Sequence, residues 1–450
     1  MLHFGMEGLA PFLMYYSGVV CFFLAIFWRP DIGLYYLVPL IPVQTVRYWL
    51  NPFPLGNSVI DLMMIAVFVG LLRKGEPIFP KTPLTKLLLG LLIYSYVSLW
   101  LGAFFLGKGL PLWIDDSRFI DWKNYITLPL LFWLAYSAIK TTAQMKIVLC
   151  VMGFSALMLD RSFFDGVQGR DLTTFSEDVR YEGAMGYAGV NGLAAFQAQL
   201  IVAVMAMTFF ARNYLVKLLY WGLAGFSLYC LMFAFSRGGY AGFLVGWLFL
   251  GIVWKRSLLV LMGIFLLGWQ AFVPAAVVQR VMMTTGSSGE LEHSAELRVG
   301  MWDEAVEIFN QNPITGTGMF TYAYRGGIFR NPHNYYVQVM VEGGILGMFF
   351  FLTLLWRMFW AGMDLFNTDT DPFLRGLGLG LAGWIVTAAA TNFFGDRWTY
   401  FQVTGFMWVL AAMVSRGSAL YREALQEHEA LEAQNEAETE GEFEALPEAI

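Results

Sequence analysis

Runs of about 20 residues without charge recur along this chain, and they limit its fold more than any other feature. The stretches 87–106, 188–211 and 257–278 contain no charged residue, and each is long enough to cross a bilayer as a helix. Charged residues make up only 14% of the 450 residues, against roughly 25% in ordinary soluble domains. Such a composition cannot cover a water-facing surface. The sequence therefore predicts an all-α polytopic membrane protein.

Thirteen candidate spans follow from the apolar runs, which gives about 12–13 transmembrane helices if one span is re-entrant. The first run has no basic segment before it and no small-residue cleavage site after it, so we expect a retained helix and not a signal peptide. The candidates are 11–28, 32–50, 57–72, 87–106, 125–139, 145–159, 188–211, 214–235, 238–254, 257–278, 334–356, 375–394 and 398–415.

Basic residues near the span ends predict the side of the membrane on which each loop lies. Lys and Arg resist translocation and stay cytoplasmic, and the clearest basic loop spans residues 73–86. Placing this loop inside puts the loops at about 161–187 and 277–333 outside, together with the short turn at 236–237 and the N-terminus. We therefore predict a transmembrane domain over residues 1–420 with its chemistry on the outer, periplasmic face.

The end of the chain changes character. Residues 421–450 are acidic and rich in Ala and Glu, with few large apolar groups. This composition predicts a cytoplasmic tail that begins as a short solvated helix and then becomes disordered. A docking segment for a partner is the alternative interpretation.

A histidine stands where the second outer loop meets a membrane helix. In Asn331-Pro332-His333-Asn334, Pro332 disfavours helix in the residue before it, and Asn334 is suited to cap the helix that follows. Histidine titrates near neutral pH, so a rigidly held His333 can accept a proton from an attacking hydroxyl. The alternative, an interfacial histidine that only hydrogen-bonds the loop, stays open on the sequence alone.

Two arginines on the outer side are candidates for binding an anion. Arg237 lies within an otherwise apolar stretch, where an unpaired guanidinium is costly, and the glycines after it would let a bulky anion approach the backbone. Arg298 lies in the segment 295–309, whose apolar residues recur at helical spacing and predict an amphipathic helix on the membrane surface. The simpler interpretations are a tight turn with a snorkelling Arg237 and a solvated Arg298.

A third arginine precedes the start of the seventh span. Arg180 is followed by glycines and then by Asn191, and a helix N-terminus offers unpaired backbone N–H groups to a phosphate. The competing interpretation of Asn191 is a plain N-cap. Together, Arg180, Arg237 and Arg298 with His333 describe an anion site beside a candidate base, next to lipid. Arginine forks match phosphate oxygens, which favours a lipid diphosphate as the anion.

Patterns for binding a metal or a nucleotide are missing from the sequence. It has no Cys/His cluster, and Asp115-Asp116, the nearest candidate for a metal site, is more simply an interfacial charge cluster with Arg118 and Lys123. A Walker loop and a Gly-rich nucleotide fingerprint are also missing. We therefore expect no metal, no cofactor and no nucleic-acid partner, and a substrate that carries its own energy source.

The order and spacing of these elements resemble the bacterial O-antigen ligase and O-antigen polymerase superfamily. The matching elements are Ser236-Arg237-Gly238, the stretch 298–318, and His333-Asn334 followed by Glu342, Gly343 and Gly347, and the segment 183–191 is similar to an upstream element of that family. The resemblance covers residues 180–395, whereas the first 150 residues match only as a hydropathy profile.

The resemblance implies a GT-C-like bundle in a bacterial inner membrane and metal-free transfer of a glycan from an undecaprenyl diphosphate carrier to an acceptor hydroxyl, with inversion at the anomeric carbon. Arg237 and Arg298 would bind the diphosphate, with Arg180 as a less secure match, and His333 would activate the acceptor. Asn334, Asn191 and Glu342 would support them, and Glu342 would either orient His333 or stabilise the helix bundle.

Several functions remain open within and beyond this resemblance. The acceptor is the lipid A core in a ligase, another lipid-linked repeat unit in a polymerase, and a protein hydroxyl in an O-oligosaccharyltransferase. The modest outer loops favour the first two. A transporter or flippase of lipid-linked glycans is the rival from another class, but it needs charges near the bilayer midplane, and the candidates here crowd one interface.

Overall fold

The computed structural model describes residues 9–283, 293–325, 331–368 and 370–444, without the side chains of 293–299, 433 and 435–444. All regular structure in these ranges is helical, and nine helical segments are long and apolar enough to cross a bilayer. The predicted class, an all-α polytopic membrane protein, is therefore confirmed.

Seventeen α-helices lie within the described ranges, and they are numbered here in chain order. They are α1 (Leu9–Phe27), α2 (Pro30–Leu37), α3 (Val46–Leu50), α4 (Val59–Arg73), α5 (Thr85–Phe105), α6 (Ser117–Ala138), α7 (Thr142–Val167), α8 (Gly189–Phe210), α9 (Tyr214–Phe233), α10 (Arg237–Val253), α11 (Ser257–Phe272), α12 (Ala275–Met282), α13 (His293–Gln311), α14 (Thr321–Tyr324), α15 (Tyr335–Thr368), α16 (Pro372–Thr391) and α17 (Phe401–Glu444).

Two of the predicted spans are not single straight helices. The span expected at 32–50 is divided into α2, a 3-10 turn and α3, because Pro39 and Pro42 lack the backbone N–H that a continuous helix needs. The span expected at 257–278 bends by 106° between α11 and α12, where Pro274 precedes α12. Helix α12 therefore turns away from the direction of α11 and does not continue it.

Helix α10 packs closely against α16 through a row of glycines. A Cβ atom on Gly238, Gly242 or Gly246 would lie 2.6, 2.3 or 2.2 Å from atoms of Phe394, Thr391 and Thr387, respectively. Small residues at helical spacing let two membrane helices approach to backbone contact. This contact sets the first residue of α10, Arg237, beside the segment that joins α16 to α17.

Helix α15 is broken at Gly344, whose φ of 59° and ψ of −157° leave the helical region. The break frees backbone groups on both sides, and the loop 313–318 pairs with them. Two loop amides donate to carbonyls before the break, and two amides after it donate to loop carbonyls. The pairs are Thr317 to Val341, Gly318 to Glu342, Ile345 to Pro313 and Leu346 to Ile314, at 2.9–3.1 Å.

Chain order and contacts bring several outer segments to one end of the bundle. The Ser236 hydroxyl lies 2.8 Å from Asn191 Oδ1, and the Phe175 amide donates to Gln279 Oε1 at 2.9 Å. These contacts join the loop before α8, the turn before α10 and helix α12. The gathered segments are 168–188, 234–236, 274–282, 331–334 and 392–400. Their predicted location on the periplasmic side stays a prediction.

Two predicted boundaries shift in the structure. Helix α7 continues to Val167, so the first outer loop begins later than residue 161. Helix α17 continues without a break to Glu444, well past the predicted span at 398–415. Residues 445–450 lie outside the described residues, and the predicted disorder of the tail stays a prediction there.

The glycine at the break in α15 provides a test of this junction. Gly344→Ala is expected to destabilise the protein, because the backbone strain alone costs about 1–3 kcal/mol and the new Cβ would lie 2.5 Å from Ile314 O and Gly316 N. Thermal unfolding in detergent should show a lowered Tm. Gly263→Ala in α11, where a Cβ meets open space, is the matched control, and equal Tm values for the two variants would contradict the role given to the break.

Candidate active site

Three arginines at the outer end of the bundle stand beside one small apolar cluster. This outer apolar cluster consists of the buried residues Val179, Phe235, Ala276 and Val277. Arg180 directly follows Val179, Arg237 follows Phe235 after one residue, and Arg280 lies one helical turn after Ala276. Since the four cluster residues come from three segments, the loop before α8, the turn before α10 and the start of α12, packing among them fixes the backbones that carry the three arginines.

Asn191 connects two of the segments that carry these arginines. Its Oδ1 atom accepts hydrogen bonds from Arg180 Nη2 at 2.9 Å and from Ser236 Oγ at 2.8 Å. Helix α8 begins at Gly189 and its N-cap position is Ala188, so Asn191 lies inside the first turn and is not the N-cap. The amide oxygen of Asn191 thus ties Arg180 to the residue before Arg237.

A carboxylate joins the same network. Glu177 accepts from Arg180 Nη1 at 3.0 Å through one oxygen and lies 3.3 Å from Arg280 Nη2 through the other. The Nε atom of Arg180 is buried and, among the described residues, has no hydrogen-bond partner. A buried N–H without a partner normally marks a place where water or a ligand completes the hydrogen bonding.

The arginines line one end of a large cavity. This cavity has a volume of about 1190 Å³, and its polar lining includes Arg180, Arg237, Arg280 and Arg397. Its remaining walls are apolar and extend between α9, α10 and α11. That part, called the apolar groove below, is lined among others by Leu228, Phe243, Trp247, Leu261, Phe265 and Trp269.

Sequence reasoning missed Glu177, Arg280 and Arg397. Arg280 and Arg397 share the sequence pattern of Arg237. Each is an isolated arginine near the outer end of an apolar span. The outer loop predicted at 277–333 included Arg280, which placed it beyond the end of the span at 257–278. The bend before α12 returns Arg280 to the cavity, and that bend is a tertiary feature.

Arg397 belongs to the loop that joins α16 to α17. The preceding residue, Asp396, accepts hydrogen bonds from the amides of Trp398 and Thr399 at 3.0 Å each and from the Thr399 hydroxyl. Burial raises the pKa of the Asp396 carboxyl above its usual value, while the bonds from Thr399 act in the opposite direction. These contacts shape the turn that presents Arg397 to the cavity.

His333 lies on a separate segment, in the turn before α15. Its side chain is exposed and its φ is 49°, a conformation uncommon for residues other than glycine. Its amide donates to Asn331 Oδ1 at 2.8 Å, and Trp302 Nε1 of α13 donates to Pro332 O at 3.0 Å. The turn is therefore held from both sides. Among the described residues that line the cavity, His333 is not included.

The prediction that Asn334 caps the following helix is confirmed. Its Oδ1 atom accepts from the amides of Tyr336 at 3.0 Å and Val337 at 3.3 Å, and its carbonyl accepts from the Gln338 amide. This is the hydrogen bonding of an N-cap. The cap fixes the direction in which α15 leaves the His333 turn.

Aromatic rings connect the His333 segment to the rim of the cavity. The ring of Tyr336 lies 4.5 Å from the ring of Phe393, and its hydroxyl donates to Ala389 O at 2.9 Å. Phe394, which follows Phe393 in the chain, lines the cavity. Phe393 is more than half exposed. The His333 turn and the arginine end of the cavity thus border the same junction between α16 and α17.

Glu342 supports the outer loop. Its carboxylate accepts from the Tyr322 amide at 3.0 Å, and its carbonyl accepts from Gly318. The Tyr322 hydroxyl in turn lies 3.3 Å from Met301 O in α13. Of the two roles considered for Glu342, these contacts favour stabilisation of the loop and helices over direct orientation of His333.

Arg298 lies in α13, and its side chain is outside the described residues. The helix that carries it is described, and it confirms the helix expected at 295–309. Trp302, one helical turn after Arg298, makes the bond to Pro332 given above. Ala305 of α13 is buried with Tyr322 and Val341, so the apolar face of α13 packs on α14 and α15. The role of Arg298 stays a prediction.

Within the described ranges, no three His, Cys, Asp or Glu side chains form a group able to hold a metal ion. Metal-free chemistry stays a prediction, and the chelator experiment described below tests it.

Comparison with known families gives one match. The family model described as O-antigen ligase matches residues 222–352, a segment that includes Arg237, Arg280, Arg298, His333 and Glu342. The resemblance predicted from the sequence is therefore confirmed, since this segment is similar to the O-antigen ligase family model. Arg180, Asn191 and Arg397 lie outside the matched segment. A search of curated protein sequences gave no match.

The contact between Gly238 and Phe394 provides a test of the cavity's architecture. Gly238→Ala is expected to cost about 1–3 kcal/mol through overpacking, because its Cβ would lie 2.6 Å from Phe394 Cβ. Thermal unfolding in detergent measures the loss. Gly225→Ala is the control, since Gly225 also lines the cavity and a Cβ there meets open space. Equal stability of both variants would show that α10 and the α16–α17 junction are not in the described contact.

Proposed function

We propose that this chain, a multi-pass membrane protein with an O-antigen ligase domain at residues 222–352, transfers a glycan from a polyprenyl diphosphate carrier to an acceptor hydroxyl. One observation carries the proposal. A single cavity joins an end lined by four arginines to the apolar groove between α9, α10 and α11. A lipid diphosphate has the same division into a charged head and an apolar chain.

The arginine end of the cavity suits the diphosphate. Guanidinium groups bind phosphate oxygens through paired N–H donors, and each such charge-assisted bond contributes about 1.5–3 kcal/mol. When the bond to the glycan breaks, negative charge grows on the diphosphate, and donors that are already in place stabilise it. Arg180 and Arg237 would hold the diphosphate, and Arg280 and Arg397 would join them.

The apolar groove suits the polyprenyl chain. Its walls carry large apolar and aromatic side chains, which would pack against the chain by van der Waals contact in place of lipid tails. A chain as long as undecaprenyl would extend from the arginines along the groove into the surrounding lipid. We therefore take undecaprenyl diphosphate as the donor carrier and the inner membrane of a bacterium as the location, with the transfer on the periplasmic face.

His333 would serve as the base. It would take the proton from the acceptor hydroxyl, whose oxygen attacks the anomeric carbon of the donor sugar. The bond between this carbon and the diphosphate oxygen breaks, and the diphosphate leaves with the electron pair. The configuration at the anomeric carbon inverts. Asn334 and Glu342 would act as positioning residues through α15 and the outer loop, and Arg298 would add a further positive charge from α13.

For the acceptor we propose a hydroxyl of a lipid-anchored glycan, as in a ligase or a polymerase. The described outer segments are short and are packed on the bundle, and a lipid-anchored acceptor reaches them along the membrane surface. Transfer to a protein hydroxyl, as by an O-oligosaccharyltransferase, is the alternative that product analysis distinguishes.

A transporter of lipid-linked glycans is the second candidate. The break in α15 and the bend between α11 and α12 favour it, because transporters form their sites from interrupted helices. However, the backbone groups freed at the break in α15 are paired with the loop 313–318. The arginines also stand at one end of the bundle and not at its middle. These two facts favour transfer over transport.

A transfer assay tests the main proposal. Purified protein with a polyprenyl-diphosphate-linked glycan and a panel of acceptors is expected to form product in the presence of EDTA. Arg237→Ala should lower kcat/KM about 10- to 100-fold. His333→Asn should lower kcat about 10²- to 10⁴-fold, and asparagine tolerates the positive φ at this position. The mass of the product identifies the acceptor class.

Matched variants make the assay decisive. Arg161→Ala should keep full activity, because Arg161 pairs with Asp165 and does not line the cavity. Arg298→Ala tests the predicted role of α13 in the same assay. Full activity of His333→Asn would exclude His333 as the base. Folded wild-type protein that binds the donor but transfers it to no acceptor would favour the transporter.

The apolar groove has its own test. Gly225→Phe in α9 places a ring in the groove, since Gly225 lines the cavity and a Cβ there meets open space. The KM for a donor with an undecaprenyl chain should rise about tenfold or more, because the ring obstructs the groove, while a donor with a short prenyl chain should be little affected. Gly222→Phe is the control, because Gly222 has equal space but does not line the cavity. Equal effects on both donors would contradict this binding mode.

A further inference from the structure

A carboxylate lies where the proposed anion site would place phosphate oxygens. Glu177 contacts two of the arginines of the cavity at once, with Oε2 3.0 Å from Arg180 Nη1 and Oε1 3.3 Å from Arg280 Nη2. Two oxygens of one anionic group therefore bridge two guanidinium groups. A phosphate group presents the same arrangement of acceptors.

Contacts of neighbouring residues hold the backbone of Glu177 in place, whereas its side chain is largely exposed. Val179, two residues later, is buried in the outer apolar cluster. On the other side, the Phe175 amide donates to Gln279 of α12, and the guanidinium of Arg280 lies 4.5 Å from the centre of the Phe175 ring. The segment 175–179 and α12 thus form one wall of the cavity.

The side chain of Glu177 can leave its partners. It is 63% exposed, whereas those of Arg180 and Arg280 are 16% and 10% exposed. Ion pairs with such an exposed carboxylate are screened by water and are weak. Burial holds both arginines, and Asn191 also accepts a hydrogen bond from Arg180. Both would therefore stay in position when the carboxylate moves away.

We propose that Glu177 is an internal counter-anion, which offsets part of the positive charge of Arg180 and Arg280 in the empty site and is displaced by the diphosphate of the substrate. The inference rests on the proposed function, since it takes the cavity to be the diphosphate site. Glu177 would lower the affinity for the diphosphate that remains after transfer and so help to release it. It is a residue that sets affinity and takes no part in the bond changes.

Binding of inorganic diphosphate to the purified protein tests the proposal. Isothermal titration calorimetry at one fixed ionic strength would compare wild type with Glu177→Gln. The variant should bind about three- to tenfold more tightly, since it loses a negative charge next to the anion. Glu304→Gln is the matched control, because Glu304 pairs with Arg325 at 3.0 Å and does not line the cavity, and its affinity should equal that of wild type.

The outcomes separate this inference from the proposed function. Tighter binding by Glu177→Gln and by a second variant, Glu177→Ser, with wild-type binding by Glu304→Gln, supports the counter-anion. Equal or weaker binding by the Glu177 variants overturns it while the diphosphate site stands. Loss of transfer in Glu177→Gln with unchanged diphosphate binding also overturns it, because Glu177 would then take part in the reaction. Wild-type protein that binds no diphosphate and whose transfer is unaffected by Arg237→Ala overturns both proposals.

Discussion

Guanidinium groups at the edge of a lipid bilayer need partners, and this requirement organises the outer end of the bundle. Asn191 and Glu177 accept hydrogen bonds or ion pairs from Arg180, and Glu177 also contacts Arg280. The outer apolar cluster fixes the backbones beside these side chains. Because Arg180, Arg237 and Arg280 come from the loop before α8, the start of α10 and helix α12, their positive charges are concentrated around one cavity.

Close backbone packing joins this charged end to the rest of the molecule. Glycines of α10 bring Arg237 to the α16–α17 junction, where Phe394 lines the cavity and Phe393 contacts Tyr336. On the other side of that contact, the Asn334 cap and the broken helix α15 hold the turn that carries His333. The arginines and the histidine therefore belong to different segments that border one junction, although residues far apart in the chain form it.

This separation suits the proposed chemistry. Inversion at an anomeric carbon requires that the attacking hydroxyl and the leaving diphosphate lie on opposite faces of the sugar. A base on the turn before α15 and an anion site formed by the loop before α8, α10, α12 and the α16–α17 junction would act from different segments on the two faces of the sugar. The exposed ring of Phe393 contacts Tyr336 of α15, and its neighbour Phe394 lines the cavity.

The sequence by itself determined the membrane class, the long helices, the cap at Asn334 and several residues of the site, because apolar runs, caps and isolated charges in apolar stretches depend on local chemistry. Apolar content alone did not reveal the division of 32–50 or the bend after α11, although Pro39, Pro42 and Pro274 stand at these breaks in the sequence. Arg280, Arg397 and Glu177 joined the site only through tertiary structure. A charged residue in a loop has many possible surroundings, and long-range packing alone decides which groups share a cavity.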